Sequence, residues 1–304
     1  MGLKIIRAAD PIKVERLNIV LYAQPGIGKT SLAFTADTPL LLDFDNGAHR
    51  AANRKDTVRI TNWSDVADIT AADLAPFKTV IVDTAGRALD VLAADIIRVN
   101  PKHGRGGALT LQGYGELKAR FTAFLKLLNS FGKDVVLIAH MDEQRNGDEI
   151  VERLDVQGGS KGEIYKVADA MGRMVIQNGQ RKLLFSPTDA SFGKNPGQLP
   201  PLDVPANTDE AFDGFLGRVI RDTKDALNAL TETQKAALEE QEWFRKALAK
   251  VSDADDINAL IGRAKGAGRA VTQMLHARAL ELGLAAHKAS GTYVPRKAAT
   301  NEAA

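Results

Sequence analysis

A chain of 304 residues, 44% hydrophobic and 26% charged, carries enough apolar material for one large domain and a smaller one. Its formal charge of +2 means that affinity for a polyanion must come from local patches, and its lack of cysteine excludes disulfides, thiolate nucleophiles and Cys-based zinc sites and fits a reducing compartment. No apolar run approaches the roughly 20 residues that span a bilayer, and the basic segment 1–16 has no apolar core, so neither a membrane span nor a signal peptide is expected.

In chain order, short apolar runs at 17–23, 39–44, 58–60, 79–83 and 134–140 alternate with helical segments at 29–36, 64–70, 86–98 and 112–131. That alternation predicts an α/β fold with a mostly parallel central sheet. Two stretches lack apolar periodicity, 100–107 and 141–162, and are expected to be functional loops. The run 171–186 reads as a β-hairpin turning at Asn178-Gly179, and the proline-rich 196–205 as an extended exit from the core. Composition changes near Asn207, giving expected divisions of 1–206, 207–288 and a flexible basic tail at 289–304. Helices are expected over 208–228, 231–250 and 253–284, the last with Ser252 as N-cap. From Asn258 to Lys297 seven Lys or Arg face one acid, Glu281.

The chemistry concentrates after the first strand, in Gln24-Pro25-Gly26-Ile27-Gly28-Lys29-Thr30-Ser31. Gly26 and Gly28 allow backbone conformations closed to other residues. The helix that follows presents free N–H groups and the positive end of its dipole to an anion. Lys29 adds a charge for β- and γ-phosphates, and the Thr30 hydroxyl suits Mg²⁺, so this is a P-loop with Ala23 at its first position instead of glycine. Thr79–Asp83 is a buried-strand pattern ending in a carboxylate, which suits a Mg²⁺ partner or a helix cap. Asp43 and Asp45 end another strand, where one of them can orient water or form an acidic turn. A third strand ends in His140, either a phosphate sensor or a structural histidine. All three strand ends fall on the carboxyl edge of the sheet, where α/β proteins place ligands.

The series "AQPGIGKTS", "LLLDFDNGAHR", "TVIVDT", "VVLIAH", "QGGSKGEIYKVADAMGRMVI" and "FGKNP" resembles the RecA-like recombinase core over about residues 15–205. It is most similar to the compact phage-encoded RecA-like ATPases that act as single-strand annealing proteins. That resemblance implies ATP and Mg²⁺ as ligands, with Thr30 and Asp83 at the metal. It implies Asp45 as catalytic base in place of the family's usual Glu, His140 as sensor, and Lys194 as a cation reaching the neighbouring subunit's nucleotide. It maps one DNA-binding loop onto 142–160, closing with Gly158-Gly159, and another onto 100–107. Lys102, Arg105, Arg145 and Lys161 are then the expected DNA contacts, mainly to phosphate. The expected function is single-stranded-DNA binding and annealing with slow, DNA-dependent ATP hydrolysis. The expected partners are a ring or filament of like subunits and a single-strand-binding protein, and the expected location is the cytoplasm, the host's if the chain is phage-encoded. Two other readings stay open: a ring helicase or DNA motor, and a nucleotide-switched scaffold without turnover. A nucleotide kinase fits least, because it has no use for the hairpin or for Lys194.

Overall fold

The structure is a computed structural model that describes residues 5–6, 12–146, 149–156, 160–287 and 290–295. The elements are, in order, β1 (Asn18–Ala23), α1 (Lys29–Ala33), β2 (Pro39–Asp43), β3 (Thr57–Arg59), α2 (Ser64–Ala67), β4 (Thr79–Asp83), α3 (Ala85–Val99), β5 (Gly104–Arg105), β6 (Ala108–Leu109), α4 (Leu111–Ser130), β7 (Asp134–Asn146), β8 (Glu149–Asp155), α5 (Ser160–Val167), β9 (Ala170–Gln177), β10 (Gln180–Leu184), β11 (Leu202–Asp203), α6 (Phe215–Leu248), α7 (Ala254–Gly266), α8 (Arg269–Glu281), β12 (Leu284–His287) and β13 (Thr292–Pro295). Contacts divide the chain into two compact units, Val14–Leu227 and a second comprising Met1–Lys13 with everything from Asn228.

In the first unit nine of the described strands form one sheet in the order β11-β10-β9-β1-β7-β4-β2-β3, with β8 paired to β7, and β5 and β6 form a separate pair. The pairs β1·β7, β1·β9, β4·β7, β2·β4 and β2·β3 are parallel, while β9·β10, β10·β11 and β7·β8 are antiparallel. This is the expected mostly parallel α/β sheet. Both faces are covered, so the central strands read as unbroken apolar runs instead of alternating ones. Val20, Leu42, Val80, Val82, Val135 and Leu137 face a layer built on α3 and α4. Their neighbours Leu21, Leu41, Ile81, Val136 and Ile138 face α1 and the start of α6, which supplies Leu216, Val219 and Ile220. Helix α3 forms because Ala85, Ala88, Leu89, Leu92, Ala93 and Ile96 make one apolar stripe and the Thr84 side chain accepts the Arg87 N–H as cap.

Several expectations change here. Residues 141–146 and 149–155 of the expected loop are strand: β7 runs on past the sheet and pairs with β8 from His140↔Asp155 to Asn146↔Glu149. Its outer residues Asp142, Glu143, Gln144 and Arg145 are polar and exposed or nearly so, so backbone pairing, not an apolar face, defines it. Gly158-Gly159 lies outside the described residues. The stretch 100–107 is likewise ordered, as a 3₁₀ turn at Pro101–His103 followed by the β5–β6 hairpin with Gly106 at φ 60° and Gly107 at φ 83°. The hairpin at Asn178-Gly179 forms as expected, both residues having positive φ.

The division into units falls at 227/228, not at 206/207, because the first turns of α6 are part of the sheet's core. α6 is one helix where two were expected, and the expected helix 253–284 is two, parted at Gly268 with φ 90°. Asp253, not Ser252, caps α7: its carboxylate accepts the Asp256 N–H, while Ser252 donates its own N–H to Asp256. The second unit has its own core of Phe244, Leu248, Val251, Ile257, Val271 and Leu275. Thr292–Pro295 pairs with Leu284–His287 as a hairpin, so the chain past 289 is structured at least to 295.

Candidate nucleotide site

The P-loop joins β1 to α1, with Gly26 at φ 79° and Gly28, the residue before the helix, at φ 99°. These left-handed conformations turn the chain tightly enough to aim the first N–H groups of α1 at one point. Beside the loop is a cavity of about 410 Å³ whose lining includes Gly26, Gly28, Lys29, Thr30, Asp45, Asp83 and His140. Strand order explains the convergence. β7 is inserted between β1 and β4, so His140, level with Ala23, sits between the P-loop and Asp83, and β2 follows on the far side of β4.

Lys29 is buried, and its Nζ donates to the carbonyls of Ala23 and Gln24, both at 3.0 Å, with His140 Nδ1 3.5 Å away. Burial lowers its pKa to about 8, against the opposing pull of Asp83 and Asp45, so it remains mainly cationic at neutral pH. Thr30 Oγ1 donates to Asp83 Oδ2 at 2.7 Å, which brings the hydroxyl and the carboxylate to one spot. Burial first, and then the nearby Asp43 and Asp45, push the Asp83 carboxyl up to about 6 although the Thr30 bond opposes them. Burial and the charge of Lys29 lower the pKa of His140, keeping the ring neutral at neutral pH.

The two acids ending β2 separate by geometry. Asp43 is buried and its carboxylate accepts the N–H groups of Gly47 and Ala48, which shapes the turn after the strand. Asp45 lines the cavity, with Arg50 Nη2 3.7 Å and Arg87 Nε 3.5 Å from its carboxylate oxygens. Ser31 also lines the cavity, and its hydroxyl accepts the Ala52 N–H, tying α1 to the segment that carries Asp45. Pro25 reaches the lining, whereas Ile27 packs on the core. The Gln24 side chain donates to Glu143 Oε1 at 3.0 Å, a direct link from the P-loop to the β7–β8 hairpin. Arg181, on β10, lies so close that a Cβ on Gly28 would come within 2.9 Å of its Nη1.

The remaining expected residues stand elsewhere. Lys194 is neither a solvated loop lysine nor part of the cavity: its Nζ donates to the carbonyls of Tyr165 and Ala168 at the end of α5. Lys102 and Arg105 are exposed on the 3₁₀ turn and the β5–β6 hairpin, and Arg145 is exposed near the end of β7. Lys161 belongs to the first turn of α5. Arg87 and Glu143 carry no motif signature, and Gly47 and Arg50 fall within the stretch "LLLDFDNGAHR" with no role assigned to them from sequence. Arg50 reads in sequence as one more surface cation, and only its position five residues after Asp45 hints at the pairing.

The arrangement fits a nucleoside triphosphate. A lysine, a helix N-terminus and an arginine border one cavity, and no cluster of three or more metal-ligating side chains exists among the described residues, so Mg²⁺ would depend on phosphate oxygens as well as on Thr30 and Asp83. The fold and the site together define a P-loop nucleotide-binding core. A family model described as an AAA domain matches residues 15–196, and the chain belongs to that family. No curated protein matches the chain. Among solved structures, the crystal structure of the RadB recombinase is similar at 13% identity with a TM-score of 0.34, over 55% of this chain and 79% of that one. Among the described residues no helix is long and apolar enough to cross a membrane.

Proposed function

We propose that this protein binds and slowly hydrolyses ATP, binds single-stranded DNA and promotes homologous recombination by annealing. The observation that carries the reading is that β7 ends its parallel pairing at His140, beside Lys29, and then continues without a break into antiparallel pairing with β8, along which Asp142–Arg145 are exposed. One strand thus serves both the phosphate site and an exposed polar stretch. In this reading Lys29 and the α1 N–H groups hold the triphosphate, Thr30 and Asp83 hold Mg²⁺, Asp45 takes the proton of the attacking water, and His140 reports the γ-phosphate. Mg²⁺ supplies neutralisation of charge on the phosphate oxygens. Lys102, Arg105, Arg145 and Lys161 meet the DNA backbone, and Lys194 serves a neighbouring subunit of a ring or filament.

The same geometry favours slow turnover, because a carboxylate paired with two guanidinium groups is occupied by them and not by water. A nucleotide-switched DNA-binding scaffold is therefore the second reading, favoured by the Arg50–Asp45–Arg87 grouping. The deciding experiment measures ATP hydrolysis with and without single-stranded DNA, alongside oligomer size and annealing of complementary strands. DNA-stimulated turnover with ATP-dependent assembly supports the first reading, and annealing that needs ATP but proceeds without turnover supports the second. Failure to bind both ATP and DNA refutes the two together.

A further inference from the structure

We propose that Arg50 is a phosphate-binding residue of the nucleotide site, and that its exchange from Asp45 to the triphosphate is what frees the Asp45 carboxylate. This deepens the nucleotide reading above and rests on it. Four observations meet here. Arg50 lines the same cavity as Lys29 and Thr30. Its side chain is 67% exposed, while that of its partner Asp45 is only 26% exposed, so the arginine is the mobile member of the pair. Their 3.7 Å separation marks an ion pair without a close hydrogen bond, which a competing anion can break. Finally, a Cβ on Gly47 would come within 2.7 Å of Arg50 Nη2 and 3.4 Å of Asp45 Oδ2. Gly47 has φ −104°, open to any residue, so glycine there serves space and not backbone conformation. It leaves room for the guanidinium to fold back over the turn onto Asp45.

Charge decides the direction of the exchange. Asp45 offers Arg50 one negative charge, already shared with Arg87, whose own guanidinium also pairs with Asp90 at 3.2 Å. A nucleoside triphosphate offers several charges and paired oxygens that match the planar fork of arginine. ADP lacks the terminal phosphoryl group and competes less well. The pair is therefore a gate on the base: with a triphosphate present, Arg50 turns to phosphate and Asp45 is relieved of one of its two cations. After loss of the terminal phosphate Arg50 returns and the carboxylate is held again. The base is available mainly when there is a γ-phosphate to attack.

The test is a double-mutant cycle of Arg50→Ala and Asp45→Asn in the full chain, read as equilibrium affinity for Mg²⁺ with a non-hydrolysable ATP analogue and, separately, for Mg²⁺–ADP. Arg50→Ala should weaken the ATP analogue about 10-fold or more, as expected for loss of a charge-assisted contact, and ADP by less than about 3-fold. Asp45→Asn should tighten the ATP analogue, and that gain should shrink about 2–5-fold when Arg50 is already alanine, the range of an exposed ion pair. Arg50→Lys, which keeps charge without the fork, should fall between parent and alanine, and unchanged thermal unfolding in these variants excludes a folding effect. Equal losses for the two nucleotides, or zero coupling in the cycle, overturn the proposal. A parent whose binding depends on Lys29 but ignores Arg50 refutes this inference alone, whereas a parent that binds neither nucleotide refutes the nucleotide reading with it.

Discussion

Asp83→Asn should make the protein more stable while disabling the proposed Mg²⁺ site. Asp83 is 5% exposed, and burial, with the charges of Asp43 and Asp45, lifts its carboxyl to about 6 against Thr30 and Lys29. A rise from the ordinary 3.8 to about 6 corresponds to roughly 3 kcal/mol of penalty on the ionised form. The folded chain therefore binds more protons than the unfolded chain between about pH 4 and 6, and stability from this group is lost as pH rises through about 6. Asparagine does not titrate, and its carbonyl still accepts the Thr30 hydroxyl, so the variant should gain about 1–3 kcal/mol at pH 7.5 and nothing near pH 4. The measurement is urea unfolding of nucleotide-free protein at several pH values. A Trp243→Phe background leaves Trp63, buried in the sheet unit, as the only tryptophan reporter. The same variant should lose the stabilisation that Mg²⁺–ATP gives the parent. A variant less stable than the parent at pH 7.5, or a difference that does not vary with pH, would show that the Asp83 burial penalty has been misjudged.

Nucleotide affinity should be highest between about pH 6 and 8, falling on the acid side as Asp83 takes up a proton and on the alkaline side as Lys29 loses one; calorimetric titration across pH 5–9 checks this, and Asp83→Asn should remove the acid limb. Lys29→Ala should abolish measurable ATP binding and leave the fold intact, since the burial penalty it relieves opposes the loss of its bonds to the Ala23 and Gln24 carbonyls; near-normal hydrolysis by the folded variant would rule out this site. Lys194→Ala removes two donors from the carbonyls at the end of α5 and should cost about 1–3 kcal/mol in thermal or urea unfolding. If the lysine also acts across subunits, mixing this variant with Lys29→Ala should restore part of the turnover, and co-assembled mixtures without rescue argue for the structural role alone.

Elements whose local chemistry agrees with their tertiary setting are legible in the sequence. β1, the P-loop and α1 announce themselves through an apolar run, two glycines in strained conformations and a lysine, and β4 through five buried residues ending in Asp83. The β9–β10 hairpin is legible because Asn178 and Gly179 supply positive φ on both sides of a two-residue turn. The β7–β8 hairpin is not, because most of its outer side chains are polar and period-two apolar signal fades beyond Met141. On the return strand Val151 and Leu154 are buried. α6 runs as one helix through the polar Thr231–Gln234, because such residues are tolerated on a helix surface. The partners of Asp45 and Lys194 were illegible for another reason. Arg50 and Arg87 are 37 residues apart in sequence and reach one carboxylate only because β2 and β4 are neighbours in the sheet. Lys194 meets α5 only because its backbone pairs with Met171.

Strand order also explains why coupling between the nucleotide site and the hairpin would need few moving parts. Had β4 lain directly beside β1, the P-loop and Asp83 would have been adjacent and no strand end would have separated them. The insertion of β7 places His140 there, and Lys29 is near enough for its charge to depress the histidine's proton affinity. The same strand then runs six residues further, from Met141 to Asn146, paired throughout with β8. A second tie leaves the P-loop itself, through Gln24 to Glu143, three residues beyond His140 on that strand. The hairpin base is in turn fastened on its other side, where Arg173 pairs with Glu152, the Glu152 N–H donates to Ala190 O, and Arg153 lies over Phe192 at 4.5 Å. A hairpin held at its base and touched at two points by the phosphate loop can pivot but cannot slide, because each slip of register would break a row of backbone pairs. Rearrangement of Lys29 and Gln24 around phosphate would therefore be expressed along the exposed residues Asp142–Arg145 as a change of angle. That is the kind of motion an arm carrying Arg145 needs if ATP is to decide whether a phosphate backbone is gripped.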